Sequence, residues 1–317
     1  MRIVVLDGYA CNPGDLSWEE FSRYGDLMVY PRTKAEDTVQ RIADAEVVFT
    51  NKTVIDRSVL ENCPNLKMVG VLATGYNVVD IAAARERGIT VCNVPAYSTQ
   101  AVAQMTFALL LEVCQQVGAH TQAVRQGRWE QSKDFCFWEH PLTELAGKTM
   151  GVIGYGTIGK GVAEIAKAMG MQVLVTSRSP KSVPEGVRFV TISELLSQSD
   201  VVSLHCPQTA ENLHMICQET ISLMKDGAIL LNTARGGLVD EQALAGALKS
   251  GKLRAYGADV VSREPILGEN PLLTAPNCFL TPHIAWAAKE TRARLLQIAA
   301  ENLRAFLAGA PQNIVSP

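Results

Sequence analysis

Three segments in the second half of the chain place reactive side chains just past apolar runs, where scaffolding alone gives no reason for them. Leu230-Leu231-Asn232-Thr233-Ala234-Arg235-Gly236-Gly237 ends a run with an arginine before glycines. Asp259-Val260-Val261-Ser262-Arg263-Glu264-Pro265 sets carboxylates beyond another run. Thr281-Pro282-His283-Ile284-Ala285-Trp286 sets one of only five histidines beyond a third. Ligands of open α/β sheets bind outside the carboxyl ends of the strands. A guanidinium, carboxylates and an imidazole delivered by three strand ends are therefore expected to share one crevice.

A fourth segment indicates what lies beside them. Thr149-Met150-Gly151-Val152-Ile153-Gly154-Tyr155-Gly156-Thr157-Ile158-Gly159 reads as a buried strand running into G-x-G-x-x-G, and a helix pattern over 158–169 follows and stops at Gly170. Gly154 permits the tight turn, Gly156 lets backbone approach a pyrophosphate, and Gly159 allows close helix–strand packing. The helix N-terminus then offers N–H groups to the phosphates. Alone the pattern is weak, and a merely structural glycine turn is the plain alternative; the strand–turn–helix context makes it a dinucleotide cradle. Its mid-chain position disfavours the usual N-terminal flavin arrangement. An acid at the end of the next strand would hold the ribose 2′-OH of NAD. Here Val173-Leu174-Val175-Thr176 ends in Ser177-Arg178-Ser179, with Lys181 close behind and no acid. A solvated loop is the plain reading; a 2′-phosphate, hence NADP tolerance or preference, is the favoured one.

The elements that must position these groups are legible as short β-branched runs alternating with amphipathic stretches, the α/β pattern. In the first third the runs lie at 3–6, 27–30, 47–50, 67–72 and 89–91, and a helix-like stretch over 79–87 stops at Gly88. An apolar-faced stretch, 100–126, is long enough to link two domains. The irregular aromatic segment 129–140 follows, with Phe135, Phe137 and Trp138. A second series of strands is expected at 149–153, 172–176, 201–205, 228–232 and 256–259, and a final helix over 291–307.

A chain of 317 residues, 47% hydrophobic and 19% charged, is expected to fold as two domains with substantial cores. With a net charge of −3 and no basic stripe, neither nucleic acid nor a membrane surface is the expected partner. The most apolar long segment, 101–114, is broken by Gln104, Thr106 and Glu112. The opening run is too short for a signal-peptide core, so a cytoplasmic protein is expected. Eight cysteines show no CxxC pair and no clustering with histidine; they read as reduced structural thiols, and no metal is expected.

Taken in order, G-x-G-x-x-G, N-x-x-R-G at 232–236, D-V-x-x-x-E-P at 259–265 and P-H-I at 282–284 resemble the D-isomer-specific 2-hydroxyacid dehydrogenases, and the resemblance covers essentially the whole chain. It implies two Rossmann-like/flavodoxin-like parallel-sheet α/β domains with an active-site cleft between them. Residues 1–97 plus 290–317 would bind substrate, and 98–289 would form the dinucleotide-binding Rossmann domain. Arg235, Glu264 and His283 become the catalytic trio. Arg235 would hold a substrate carboxylate or carbonyl oxygen by a forked contact. His283 would protonate the carbonyl oxygen as hydride arrives, and Glu264 would hydrogen-bond His283 and keep imidazolium available. Around the cofactor the family implies Gly154, Tyr155, Gly156, Thr157, Ile158 and Gly159, then Ser177 and Arg178, an adenine wall of His205, Cys206 and Pro207, and Thr99 from the hinge. Thr233, Ala234 and Asp259 would meet the nicotinamide carboxamide. The turn Ala73-Thr74-Gly75 would bind the substrate carboxylate through backbone N–H groups, with Asn51 and Lys52 adding to the anion site. Gln104 departs from the family, which often has an acid there. The remaining histidines, His120, His140 and His214, read as surface residues.

Within the family, Leu6-Asp7-Gly8-Tyr9, Asn12-Pro13-Gly14-Asp15-Leu16-Ser17-Trp18, Leu72-Ala73-Thr74-Gly75-Tyr76-Asn77 and Asp134-Phe135-Cys136-Phe137-Trp138 are similar to the glycerate dehydrogenase (hydroxypyruvate reductase) branch. That branch implies interconversion of hydroxypyruvate and D-glycerate. Trp286 would wall a compact pocket, core or interface packing being the plain reading. The aromatic segment and the long helix before it are expected to form a symmetric homodimer. Glyoxylate or another 2-keto acid is the alternative substrate. An NAD(H)-sensing corepressor-like binding protein is the alternative of a different class. Formate dehydrogenases of this fold carry Gln in place of the Glu264 partner, so the glutamate here favours proton transfer to a keto acid.

Overall fold

The computed structural model describes residues 1–178 and 182–316; Ser179 and Lys181, which the cofactor-preference reading invoked, lie outside the described residues. The chain forms two compact units, Met1–Ser98 with Trp286–Pro317, and Thr99–Ala285.

The first unit is built on a five-stranded sheet of β1 (Arg2–Val5), β2 (Asp26–Val29), β3 (Val47–Thr50), β4 (Met68–Val71) and β5 (Thr90–Cys92). Their order is β2-β1-β3-β4-β5, and every pairing is parallel. Parallel sheets are covered on both faces, which is why the strands read as continuous apolar runs rather than alternating ones. Val4, Val48, Val69 and Val91 face one core. Ile3, Val5, Val47 and Phe49 face the other, which is closed by Leu295, Leu296 and Leu303 of the helix Lys289–Leu307. The C-terminal helix thus returns to the unit in which the chain began.

The second unit carries seven parallel strands: β6 (Thr149–Ile153), β7 (Gln172–Thr176), β8 (Val187–Phe189), β9 (Val201–Leu204), β10 (Ala228–Asn232), β11 (Leu253–Ala258) and β12 (Cys278–Leu280). Their order is β12-β11-β10-β9-β6-β7-β8. The chain winds outward from β6 through β7 to β8, then returns to the other side of β6 at β9. The direction of winding reverses there, and ligands of such sheets bind at that reversal. Strand β8 did not stand out in the sequence, because three residues with a charged middle position carry little periodic signal.

The long stretch expected at 100–126 is two helices, Thr99–Gln115 and Val117–Arg125, broken at Gln116, whose φ is +46°. A left-handed residue cannot continue a right-handed helix, and nothing in the composition of the stretch marks the break. The first helix packs Ala103, Phe107 and Leu110 into one core of the large sheet. Gln104, the departure from the family pattern, is exposed on it. No helix among the described residues is long and apolar enough to cross a membrane.

Candidate active site

The Gly-rich turn sits at the reversal between β6 and β9. Gly154 has φ +98°, and a Cβ there would lie 2.6 Å from the backbone of His205 and Cys206, so only glycine lets the two strand ends approach this closely. At Gly159 a Cβ would stand 2.0 Å from the Gly154 carbonyl oxygen, which welds the helix Thr157–Ala168 to the turn. Gly156 precedes that helix in extended conformation with no side-chain cap, so no side chain covers the first-turn N–H groups. Gly156 and Thr157 are exposed and Ile158 packs partly against the core. This cradle fits a pyrophosphate. Tyr155 is 4% exposed and its side chain belongs to the hydrophobic core, so it would meet a cofactor through its backbone.

On the opposite lip, His205 Nε2 meets the Ser203 hydroxyl at 2.7 Å while Nδ1 is buried with no hydrogen-bond partner among the described residues. Burial holds the imidazole neutral, its pKa down at about 3. The Asn212 amide donates to the Pro207 carbonyl at 2.8 Å and closes the loop behind Cys206. Burial pushes the Cys206 thiol up while the Arg178 guanidinium pulls the other way, and the same guanidinium helps to hold Glu211 low. The exposed Arg178 therefore projects its charge along this lip, with Ser177 half-buried beside it. Thr99 starts the helix Thr99–Gln115, partly exposed.

The three reactive strand ends lie on β10, β11 and β12, neighbours in the sheet although dozens of residues apart. After β10, the fully buried Asn232 donates to the Arg235 carbonyl at 2.9 Å and accepts from Ala234 N–H at 3.0 Å, shaping the turn that presents Arg235 to solvent. The guanidinium donates to the carbonyl of its neighbour Ala234 at 2.7 Å. Thr233 is 8% exposed, and its hydroxyl lies 3.0 Å from that of Thr106 on the helix Thr99–Gln115. His283 Nδ1 lies 2.6 Å from Glu264 Oε2, and both side chains are partly exposed. His283 has φ +56°, uncommon for a side chain of this size and the kind of backbone a surrounding structure must enforce.

Asp259 is what enforces it. Its carboxylate, 1% exposed, accepts from the Thr281 hydroxyl at 2.5 Å, from Ile284 N–H at 2.9 Å and from Ala285 N–H at 2.8 Å. The side chain is thus turned into the protein and pins the turn that carries His283.

In the first unit, the turn Ala73-Thr74-Gly75 hangs on the Val94 backbone, which donates to the Ala73 carbonyl at 3.0 Å and accepts the Thr74 hydroxyl at 2.9 Å. Among the described residues no acceptor is assigned to the N–H groups of Ala73, Thr74 or Gly75. Lys52 is exposed. Asn51 is not: it is 4% exposed and its amide donates to the Leu72 carbonyl at 2.6 Å, tying β3 to β4. Asp7, which sequence reasoning passed over, accepts from three consecutive N–H groups, Asn51 at 2.7 Å, Lys52 at 2.6 Å and Thr53 at 2.8 Å. Trp286 is half-buried against the core around Leu295.

A sequence profile described as "D-isomer specific 2-hydroxyacid dehydrogenase, NAD binding domain" matches residues 107–285. Hydroxypyruvate reductase of Blautia hydrogenotrophica is 54% identical, over the whole of both chains. The chain belongs to the D-isomer specific 2-hydroxyacid dehydrogenases. Glycerate dehydrogenase of Methylorubrum extorquens, of the same family, is 41% identical over 99% of this chain and 98% of its own. Among solved structures, an NADPH-dependent glyoxylate/hydroxypyruvate reductase from Sinorhizobium meliloti, in complex with NADP and malonate, superposes with a TM-score of 0.84 at 28% identity, covering 99% of this chain and 96% of that one. As a member of this family the chain is an oxidoreductase, and its two parallel-sheet α/β units are the family's architecture.

Proposed function

We propose that this dehydrogenase reduces hydroxypyruvate to D-glycerate with NADH or NADPH. The observation that carries the reaction is the 2.6 Å contact between His283 Nδ1 and Glu264, set on strand ends beside the Arg235 turn. The substrate rests on the full-length likeness to a hydroxypyruvate reductase.

With its pyrophosphate in the Gly154–Gly159 cradle, a reduced nicotinamide cofactor would supply a hydride to the carbonyl carbon. His283, with Nδ1 on Glu264, delivers the matching proton from Nε2 to the carbonyl oxygen, and the carboxylate partner stabilises the imidazolium that must be present at the start. Arg235 polarises that carbonyl or clamps the neighbouring carboxylate. The N–H groups of Ala73, Thr74 and Gly75 suit an anionic oxygen, and Lys52 adds a positive field; Asn51 serves by holding the Leu72–Ala73 segment in shape. Trp286 supplies apolar surface. The reverse reaction runs through the same groups with the proton returning to His283.

Arg178, with Ser177, supports use of NADP as well as NAD, since an exposed guanidinium at this strand end suits a 2′-phosphate. A second copy of the chain is the proposed partner. Val117, Val124, Trp129, Phe135, Trp138 and Leu142 are all exposed along one stretch of sequence, Phe135 at 89%. A monomer rarely leaves so much aromatic surface in water.

The test is turnover, followed at the reduced-nicotinamide absorbance, with hydroxypyruvate, glyoxylate and pyruvate each paired with NADH and NADPH. Hydroxypyruvate is expected to be the fastest substrate, and His283→Ala to lose about 10²–10⁴-fold in kcat with cofactor affinity retained. Faster glyoxylate turnover would overturn the substrate assignment; no turnover despite tight cofactor binding would point to a sensing role instead.

A further inference from the structure

Glu264 has to be held somewhere, and its own loop, 259–270, contains no regular element until Pro271. The hold comes from Glu241, 21 residues upstream of Ser262. Glu241 opens the helix Glu241–Ser250, and its Oε1 accepts from the Ser262 N–H at 2.7 Å. Its Oε2 accepts from the Ser262 hydroxyl at 2.6 Å and from the Asn270 amide at 2.9 Å. Both ends of the Glu264 loop are thus tied to one carboxylate. The helix does not need Glu241 as a cap, because Asp240 already accepts from Gln242 N–H and Ala243 N–H at 3.0 Å. The carboxylate acts inward as well: burial, with the Glu241 charge second, pushes the Cys278 thiol up to about 12.

The clamped peptide is also the one on which the Arg235 turn rests. A Cβ on Gly236 would lie 1.9 Å from the Val261 carbonyl carbon and 2.3 Å from Ser262 N, so backbone meets backbone here. From the same stretch, Val261 N–H reaches Glu264 Oε1 at 3.3 Å. The Val261–Ser262 peptide therefore has Gly236 packed against it, Glu241 holding its N–H, and Glu264 two residues downstream.

We propose that Glu241 is a positioning residue for the Glu264–His283 pair: by clamping Ser262 it keeps the Glu264 carboxylate where it stabilises the His283 imidazolium. The inference rests on the reading of His283 as the proton donor. The other charged groups on the elements that carry the pair are Arg263 and Glu269 on the same loop, Asp259 under the His283 turn, Arg235 beyond Gly236, and Asp240 and Lys249 on the helix of Glu241.

The experiment follows the titration of the His283 imidazole by nitrogen-15 NMR in the full-length protein, the signal being assigned by its loss in His283→Ala. In Glu264→Gln the midpoint is expected at lower pH than in the wild type, and Glu241→Gln is expected to move it the same way by less, because charge and contact are weakened rather than removed. The alkaline limb of kcat/KM for hydroxypyruvate reduction should shift in step, with reduced-cofactor affinity measured by fluorescence unchanged. Ser262→Thr, which keeps both donors, should behave as wild type, and Ser262→Ala should fall between. An unmoved His283 titration in Glu241→Gln would overturn the proposal, as would a loss of kcat/KM by one factor at every pH. If Glu241→Gln does not fold, Ser262→Ala puts the same question with a smaller change. Absence of turnover in the wild type would sink the functional reading alone, since the imidazole titration needs no substrate.

Discussion

Replacing Asp259 by asparagine separates two tasks that a carboxylate at the end of β11 could perform. In the structure its oxygens accept three hydrogen bonds from the segment 281–285, and water has almost no access to them. Asparagine keeps the volume and one acceptor oxygen, but its amide NH₂ must then face a donor. At least one bond is lost and the remainder lose their charge assistance. A hydrogen bond to a charged group contributes about 1.5–3 kcal/mol, so the turn that holds His283 at positive φ is loosened by roughly 2–3 kcal/mol. If all of that is felt as misplacement of His283 in the transition state, kcat/KM for hydroxypyruvate falls by about 30–160-fold. Initial rates at the reduced-nicotinamide absorbance measure the loss, and fluorescence titration measures cofactor affinity, which should hold. Collapse of cofactor affinity with kcat intact at saturating cofactor would refute the reasoning and restore the carboxamide contact.

Arg178→Ala should lower kcat/KM with NADPH about tenfold more than with NADH, the scale of one lost charge-assisted contact to phosphate; equal losses with both cofactors would count against a 2′-phosphate role. Trp138→Glu should convert a dimer to monomers in analytical ultracentrifugation, since the residue is 66% exposed in the isolated chain; an unchanged sedimentation coefficient would locate the interface elsewhere. His205 is held at about 3 by burial, against 6.5 when unfolded, so between those values the unfolded chain takes up a proton that the folded one refuses. Its contribution therefore weakens folding as pH falls below 6.5, by about 2 kcal/mol at pH 5. His205→Gln should show a smaller drop in Tm from pH 7 to pH 5 than the wild type; parallel drops would show that His205 is not the group responsible.

Much of the machinery was legible because it is local. A strand that stops at glycines, with a helix pattern beginning at once, leaves the backbone few choices, and Gly154 and Gly159 occupy the close approaches their spacing implied. Arg235, Glu264 and His283 each follow an apolar run, and the sheet order makes neighbours of the strands that end there. Tyr155 shows the limit of such reading, since its neighbours in sequence serve the turn while its side chain packs in the core behind it. Gln116 broke a helix that composition would have continued.

By itself the sequence determined two parallel-sheet units, the glycine turn and the strand-end side chains proposed to react, because strand periodicity, turn glycines and strand-end side chains are properties of short segments. Only the tertiary structure decided what holds those groups in place. Asp7 gathers the N–H groups of residues 51–53, Asp259 pins the turn of His283, and Glu241 clamps the loop of Glu264, across separations of 21 to 46 residues. An aspartate or glutamate at the end of a strand looks the same whether it faces a ligand or a loop. Which it faces depends on the loops that the strand order brings alongside, and that order is a property of the whole sheet.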